Sequence, residues 1–250
     1  MAVAWPGAAP LQLPCGALAR PRGRHTFGSM PRALPLLAAL LLAAPVAGTA
    51  RADDAVGRVN AGGFDTRSMC TGTLVAPGRV LTAAHCVLWP DGRERQVSDI
   101  VFVAGWDGAG HAGAARAASV ALHPRALADG RIDVRHDLAV IDLVRPIEGP
   151  TLEVGSAGPA GPLALAGYTR SRPHRLSVTE DCAGTADGTL WRVGCTIEHG
   201  QSGGPVIYGT GAARRVVAVI SARTEGGALV VPVDGWARAR LAEPYTSSAD

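Results

Sequence analysis

The sequence predicts an all-β protein, a barrel or sandwich pair, closed by one short helix. Three observations carry this expectation. Short apolar runs recur along the chain, too brief for ordinary globular helices. Turn residues punctuate them, with 32 Gly and 18 Pro in 250 residues. Hydrophobic residues make up 47% and charged residues 18%, a globular composition that excludes wholesale disorder.

Residues 1–29 are rich in Pro, Arg and Gly without a period, and read as an extension or a mis-assigned start. From Met30 the chain runs Met-Pro-Arg, then an almost unbroken Leu/Ala run from Leu34 to Ala44, then Ala50-Arg51-Ala52. A short positive region, an apolar stretch and an Ala-x-Ala site make a secretory signal peptide over 30–52. Cleavage after Ala52 leaves Asp53 first. The run holds Pro35, is followed by Pro45, and falls short of the roughly 20 apolar residues a membrane span needs. The expected location is therefore secreted or periplasmic, with no membrane attachment after cleavage.

Next come the strands. Thr71–Val75 and Arg79–Ala83 flank Ala76-Pro77-Gly78, a turn between two apolar runs. Ile100–Ala104, Ala117–Leu122 and Leu138–Val144 follow, and Asp142, mid-strand, is expected to face solvent. The Gly/Pro-rich passage 146–162 reads as a linker. Beyond it lie Leu163–Tyr168, Arg175–Thr179, Thr189–Val193, Pro205–Tyr208, Arg214–Ser221 and Ala228–Pro232. Val233 to Ala242, with Trp236 and Leu241 among Ala and Arg, reads as the closing helix.

Charge argues against a nucleic-acid partner. The formal net charge is +3, but five Arg and no acid precede Asp53, which leaves 19 Arg against 21 acids, a net of −2. Of the five Cys, Cys15 also precedes Asp53, and the mature chain keeps Cys70, Cys86, Cys182 and Cys195. An even number in an exported chain points to disulfides, with three possible pairings. The sequence-local pairing, Cys70–Cys86 and Cys182–Cys195, is preferred; each closes a loop of about 15 residues, worth on the order of 3 kcal/mol. Zinc is the alternative, but no Cys-x-x-Cys pair is present. His111, His123, His136, His174 and His199 show no ligand spacing either, so no metal is expected.

Three strings carry chemistry: Leu81-Thr82-Ala83-Ala84-His85-Cys86, His136-Asp137-Leu138-Ala139-Val140-Ile141, and Gly200-Gln201-Ser202-Gly203-Gly204-Pro205. A serine hydroxyl is a poor nucleophile at neutral pH and needs a base to take its proton. His85 titrates in the right range for that task. Asp137 supplies the partner that fixes the tautomer and meets the imidazolium. The oxyanion then needs backbone N–H donors, and Gly200 and Ser202 are placed to provide two. No cofactor is required.

These strings resemble those of the trypsin/chymotrypsin-like serine proteases, over roughly Cys70 to Val231. The resemblance implies two antiparallel six-stranded β-barrels with the active site between them: 53–145 bearing His85 and Asp137, and 163–250 bearing Ser202 and the C-terminal helix. It also implies that Cys70–Cys86 is the bridge beside the histidine and that Cys182–Cys195 staples the second barrel. Gln201 stands where animal digestive enzymes carry the Asp that receives the new N-terminal ammonium after activation. In this the chain is closer to bacterial exported relatives, including glutamyl-endopeptidase-like enzymes. Arg58-Val59-Asn60 faintly resembles an activation site and is taken as coincidence.

By motif alignment Thr196 lies at the base of the primary pocket. Being neutral, it disfavours cleavage after Arg or Lys. His199 lines the cleft, and Ser221 begins the strand that pairs with the substrate backbone, followed by Ala222 and Arg223. Ile220 replaces the pocket His of glutamyl endopeptidases. The expected function is an exported, monomeric serine endopeptidase acting on peptides or proteins. The competing readings are a protease-fold binding protein without activity and an exported esterase. The order His, Asp, Ser opposes an α/β-hydrolase, which runs Ser, Asp, His.

Overall fold

A computed structural model describes residues 52–63 and 68–246. The expected leader and the segment before it fall within 1–51 or at its edge, outside the described residues apart from Ala52. The first strands are β1 (Val56–Ala61), β2 (Met69–Ala76), β3 (Arg79–Thr82), β4 (Ile100–Ala104) and β5 (Gly113–Leu122). A small hairpin, β6 (Leu127–Ala128) and β7 (Arg131–Ile132), precedes β8 (Ala139–Leu143). Six of these close an antiparallel barrel in the order β1-β2-β3-β8-β5-β4. Leu74, Leu81, Phe102 and Ile141 fill it and are almost fully buried. A Cβ on Gly57 would sit 2.5 Å from the Phe102 ring, so the missing side chain lets that ring lie against β1.

The second set is β9 (Leu163–Tyr168), β10 (Leu176–Cys182), β11 (Gly184–Asp187), β12 (Leu190–Val193), β13 (Pro205–Tyr208), β14 (Arg215–Thr224) and β15 (Gly227–Pro232). They form a seven-stranded antiparallel ladder, β10-β9-β13-β14-β15-β12-β11. Its two edges, β10 and β11, are consecutive in the chain with only Ala183 between them. They are one bent strand that pairs with β9 at one end and β12 at the other, so the chain itself closes a six-stranded barrel. The bend coincides with a register shift between Thr179 and Cys182 and a left-handed Asp181, φ 57°. The Cys182–Cys195 disulfide ties this bend to the chain just after β12.

Four strands were not foretold: β1, β11 and the two-residue β6 and β7. β1 carries Arg58 and Asn60, both buried, where alternation predicts exposed positions. Arg58 reaches across to the carbonyl of Pro173 (3.3 Å) in the second barrel's half of the chain. The Arg58–Val59 bond lies mid-strand, paired to β2 on one side and β4 on the other, which closes it to an activating protease. β11 is polar and mostly exposed, so no apolar run marked it. The passage 146–162 is also less loose than a linker: Leu152 is buried and its N–H meets the Leu74 carbonyl (3.0 Å), while the Glu153 carbonyl accepts from Val216 (2.9 Å).

The last helix, α1 (Gly235–Ala242), follows an Asp234 N-cap whose side chain accepts from the Ala237 N–H. It crosses back to the first barrel. There Arg79 of β3, buried to 3% exposure, donates to the carbonyls of Leu241 (2.8 Å), Glu243 (2.5 Å) and Pro244 (3.1 Å). Its Nε pairs with Asp142 of β8 (3.0 Å), which also meets Arg240 of α1. Asp142 thus corrects the expectation of a solvent-facing acid: two guanidinium groups and the Ser119 hydroxyl satisfy it at a partly buried seam. No helix among the described residues is long and apolar enough to cross a membrane.

Arg79→Ala removes the donor to the Leu241, Glu243 and Pro244 carbonyls and leaves Asp142 without one of its two guanidinium partners. Chemical denaturation is expected to show a loss of about 3 kcal/mol. A loss below about 1 kcal/mol would mean that α1 is held by its other contacts.

Candidate active site

Each candidate side chain sits where a tight turn meets a strand. His85 lies in the 3-10 turn Ala84–Cys86 that ends β3, and the Cys70–Cys86 disulfide fastens that turn to β2. Asp137 follows a second 3-10 turn, Val134–His136, whose cap is Asp133. Arg135, next to Asp133, holds that carboxyl well below its usual range. Ser202 follows a glycine-rich turn leading into β13.

Asp137 is fully buried and accepts three hydrogen bonds. Its Oδ1 takes the His85 backbone N–H (2.9 Å); its Oδ2 takes the His85 ring Nδ1–H (2.6 Å) and the Ser221 hydroxyl (2.6 Å). An ionised carboxylate only accepts, so Nδ1 carries the proton and Nε2 keeps its lone pair. Burial alone would push the Asp137 carboxyl up. The charge of His85 and the donors from His85 and Ser221 outweigh it and hold the group below its usual value. At His85 burial likewise opposes the imidazolium, but the charge of Asp137 and its hydrogen bond prevail and raise the pKa.

His85 and Ser202 come together at the disulfide. The Cys86 sulfur lies 3.8 Å from His85 Nε2 and 3.6 Å from the Ser202 carbonyl oxygen. Both residues line one cleft of about 320 Å³, together with Gly200, His199, Trp89 and Arg95. A larger cavity, about 500 Å³, lies against Leu163, Tyr208 and Arg214, away from this chemistry.

The turn before Ser202 is tightly held and, among the described residues, leaves two of its backbone N–H groups unused. Gly200 has φ +103°, and a Cβ there would fall 2.7 Å from both Met69 Cε and the Tyr168 carbonyl. The His199 carbonyl is turned away, accepting from the Arg170 N–H (2.7 Å). In a trans peptide the N–H points opposite to the carbonyl, so the Gly200 N–H faces the other way. Among the described residues neither this N–H nor that of Ser202 has an acceptor. Gln201, 3% exposed, ties the turn internally: its Oε1 accepts from the Glu198 N–H (2.8 Å), and its own N–H donates to the Glu198 carbonyl (3.2 Å).

Residues 70–219, three-fifths of the chain, match the trypsin-like peptidase domain. The chain belongs to the trypsin-like peptidase family. Among solved structures it is similar to the crystal structure of a thermostable serine protease, AL20, from an extremophilic microorganism. That match has a TM-score of 0.61 at 20% identity and covers 76% of this chain and 96% of the other. No curated protein matches.

The remaining expected site residues of this trypsin-like peptidase are spread more widely. His199 is exposed at the cleft. Thr196 is exposed too, but lines a different cavity, with Thr169, Glu198 and Gln201. Ser221 is buried and its hydroxyl is spent on Asp137. Ala222 is half-buried and Arg223 exposed. Cys70, Cys86 and His85 bring potential ligand atoms within 4.8 Å of one another, but the two sulfurs are bonded to each other and offer no thiolate.

Sequence reasoning overlooked Thr71. Its N–H donates to the Ser202 carbonyl (2.8 Å), and its hydroxyl donates to the Gly200 carbonyl (2.8 Å) while accepting from the Tyr168 N–H (2.9 Å). It overlooked His123 as well. That ring stacks on His136 (centroids 4.9 Å apart), meets Trp236 edge-on (5.1 Å) and pairs with Asp234 (3.0 Å), packing α1 against the turn that carries Asp137. Its pKa is lowered, by burial first.

Asp137→Asn removes both influences that raise the His85 pKa and leaves burial, which lowers it. The His85 imidazole, followed by NMR, is expected to titrate above about 6.5 in the native protein and below that value in the variant. An unmoved midpoint would show that Asp137 does not set the charge of His85.

Proposed function

We propose that the protein is an exported serine endopeptidase that cleaves peptide bonds through an acyl-enzyme on Ser202. One observation carries the reading: Asp137 holds the His85 Nδ1 proton (2.6 Å), leaving the Nε2 lone pair in the cleft shared with Ser202. In this mechanism Nε2 takes the Ser202 proton as Oγ attacks the scissile carbonyl, and Asp137 meets the imidazolium. The N–H groups of Gly200 and Ser202 receive the oxyanion, each worth on the order of 3 kcal/mol of barrier. The imidazolium passes its proton to the leaving amine. Water, deprotonated by the same nitrogen, then frees the acid. No cofactor enters, and one chain holds every group.

The internal Gln201–Glu198 bonds support a turn that is set without a new N-terminal ammonium. The two disulfides support an oxidising compartment, and the leader over 30–52 is assigned as the export signal. On this reading 53–145 and 163–250 are the two halves of the enzyme, joined by 146–162.

Ser202→Ala is expected to abolish both peptide hydrolysis and labelling by a serine-directed phosphonate, with the circular dichroism unchanged. Persisting label in that variant would sink the assignment. Activity is expected to rise with pH as His85 loses its proton, with a midpoint above about 6.5, since the base works only when neutral. A midpoint below that value would argue against His85 as the base.

A further inference from the structure

The wall of the cleft beyond His85 carries a cation, Arg95, that pairs with no carboxylate among the described residues. Arg95 is half-buried, and its guanidinium is fixed rather than loose. Nε donates to the Leu88 carbonyl (3.0 Å), Nη1 to the Ala61 carbonyl (2.9 Å), and the group lies 4.1 Å from the centre of the Trp89 ring. These partners are two neutral carbonyls and a ring face. The nearby acid Asp91 is taken by Arg93 (2.7 Å). Burial lowers the Arg95 pKa, as expected for a charge that has lost water and gained no counter-ion. Arg170 and His199 line the same cleft, and among the described residues no Asp or Glu does.

The direction of this wall follows from the proton. His85 must deliver a proton to the departing amine, so the leaving segment lies on the His85 side of the scissile bond. Leu88, Trp89 and Arg95 line the same cleft as His85. Resting on the endopeptidase reading above, we infer that Arg95 and Trp89 form a subsite for an acidic residue in the first two positions after the scissile bond. The carboxylate meets the guanidinium, and its methylene stem lies on the exposed face of Trp89. A cation already held in place loses little freedom on binding, which favours selectivity.

The test needs no knowledge of the acyl-side preference. Three peptide libraries carry random residues before the scissile bond and Glu, Gln or Arg at both positions after it. At low ionic strength the native protein is expected to cleave the Glu set roughly ten-fold faster in kcat/KM than the Gln set, and the Arg set slowest. The Glu advantage should shrink as salt is added. Arg95→Gln is expected to level the Glu and Gln sets, and Arg95→Glu to place Arg ahead of Glu. Each ratio is taken within one preparation, so a smaller folded fraction cancels. Equal rates for Glu and Gln in the native protein, or an acid preference that survives Arg95→Glu, would overturn the subsite while leaving the endopeptidase standing. Failure to cut any set, together with failure of a phosphonate to label Ser202, would remove the endopeptidase reading and the subsite with it.

Discussion

The whole arrangement hangs on one threonine. Apolar packing runs without a break from the first barrel into one face of the second, but such packing has no direction and tolerates sliding. Thr71 supplies the direction. From β2 of the first barrel it grips the Ser202 and Gly200 carbonyls of the second and receives the Tyr168 N–H. Its own carbonyl is held by the Thr82 hydroxyl (2.8 Å), at the foot of the strand that ends at His85. The imidazole and the serine are thereby referenced to one residue. A shift of about 1 Å between the halves would break several bonds at once.

Asp137 repeats this logic with charge. A buried carboxylate is tolerable only when donors surround it, and here they come from both halves: His85 from one, Ser221 from the other. The hydroxyl that sequence comparison placed in the substrate strand is committed to holding this ion. Docking of the barrels and orientation of the imidazole are therefore one event.

Much of this was legible in the chain. Central strands such as β4, β9 and β13 read directly, because their apolar runs are what a two-sided core demands. The three motif strings stood out equally well, and the fold brings His85 to Asp137 and into one cleft with Ser202. The losses share a cause. β1 was hidden because Arg58 and Asn60 are buried, Arg58 reaching the second half of the chain, and β11 because it pairs as the far end of a bent strand. Thr71 and Ser221 are ordinary polar residues whose roles exist only across contacts distant in sequence. Asp142 was misjudged for the same reason: its partner Arg240 lies 98 positions away.

The Arg79 seam bears on the order in which the molecule can be finished. The carbonyls that Arg79 holds follow it in the chain by 162 to 165 positions. A ribosome makes the strands that bear His85 long before it makes the residues that lock them. The barrel translated first is therefore the one completed last, and the turn that carries His85 gains this support only once α1 has been made.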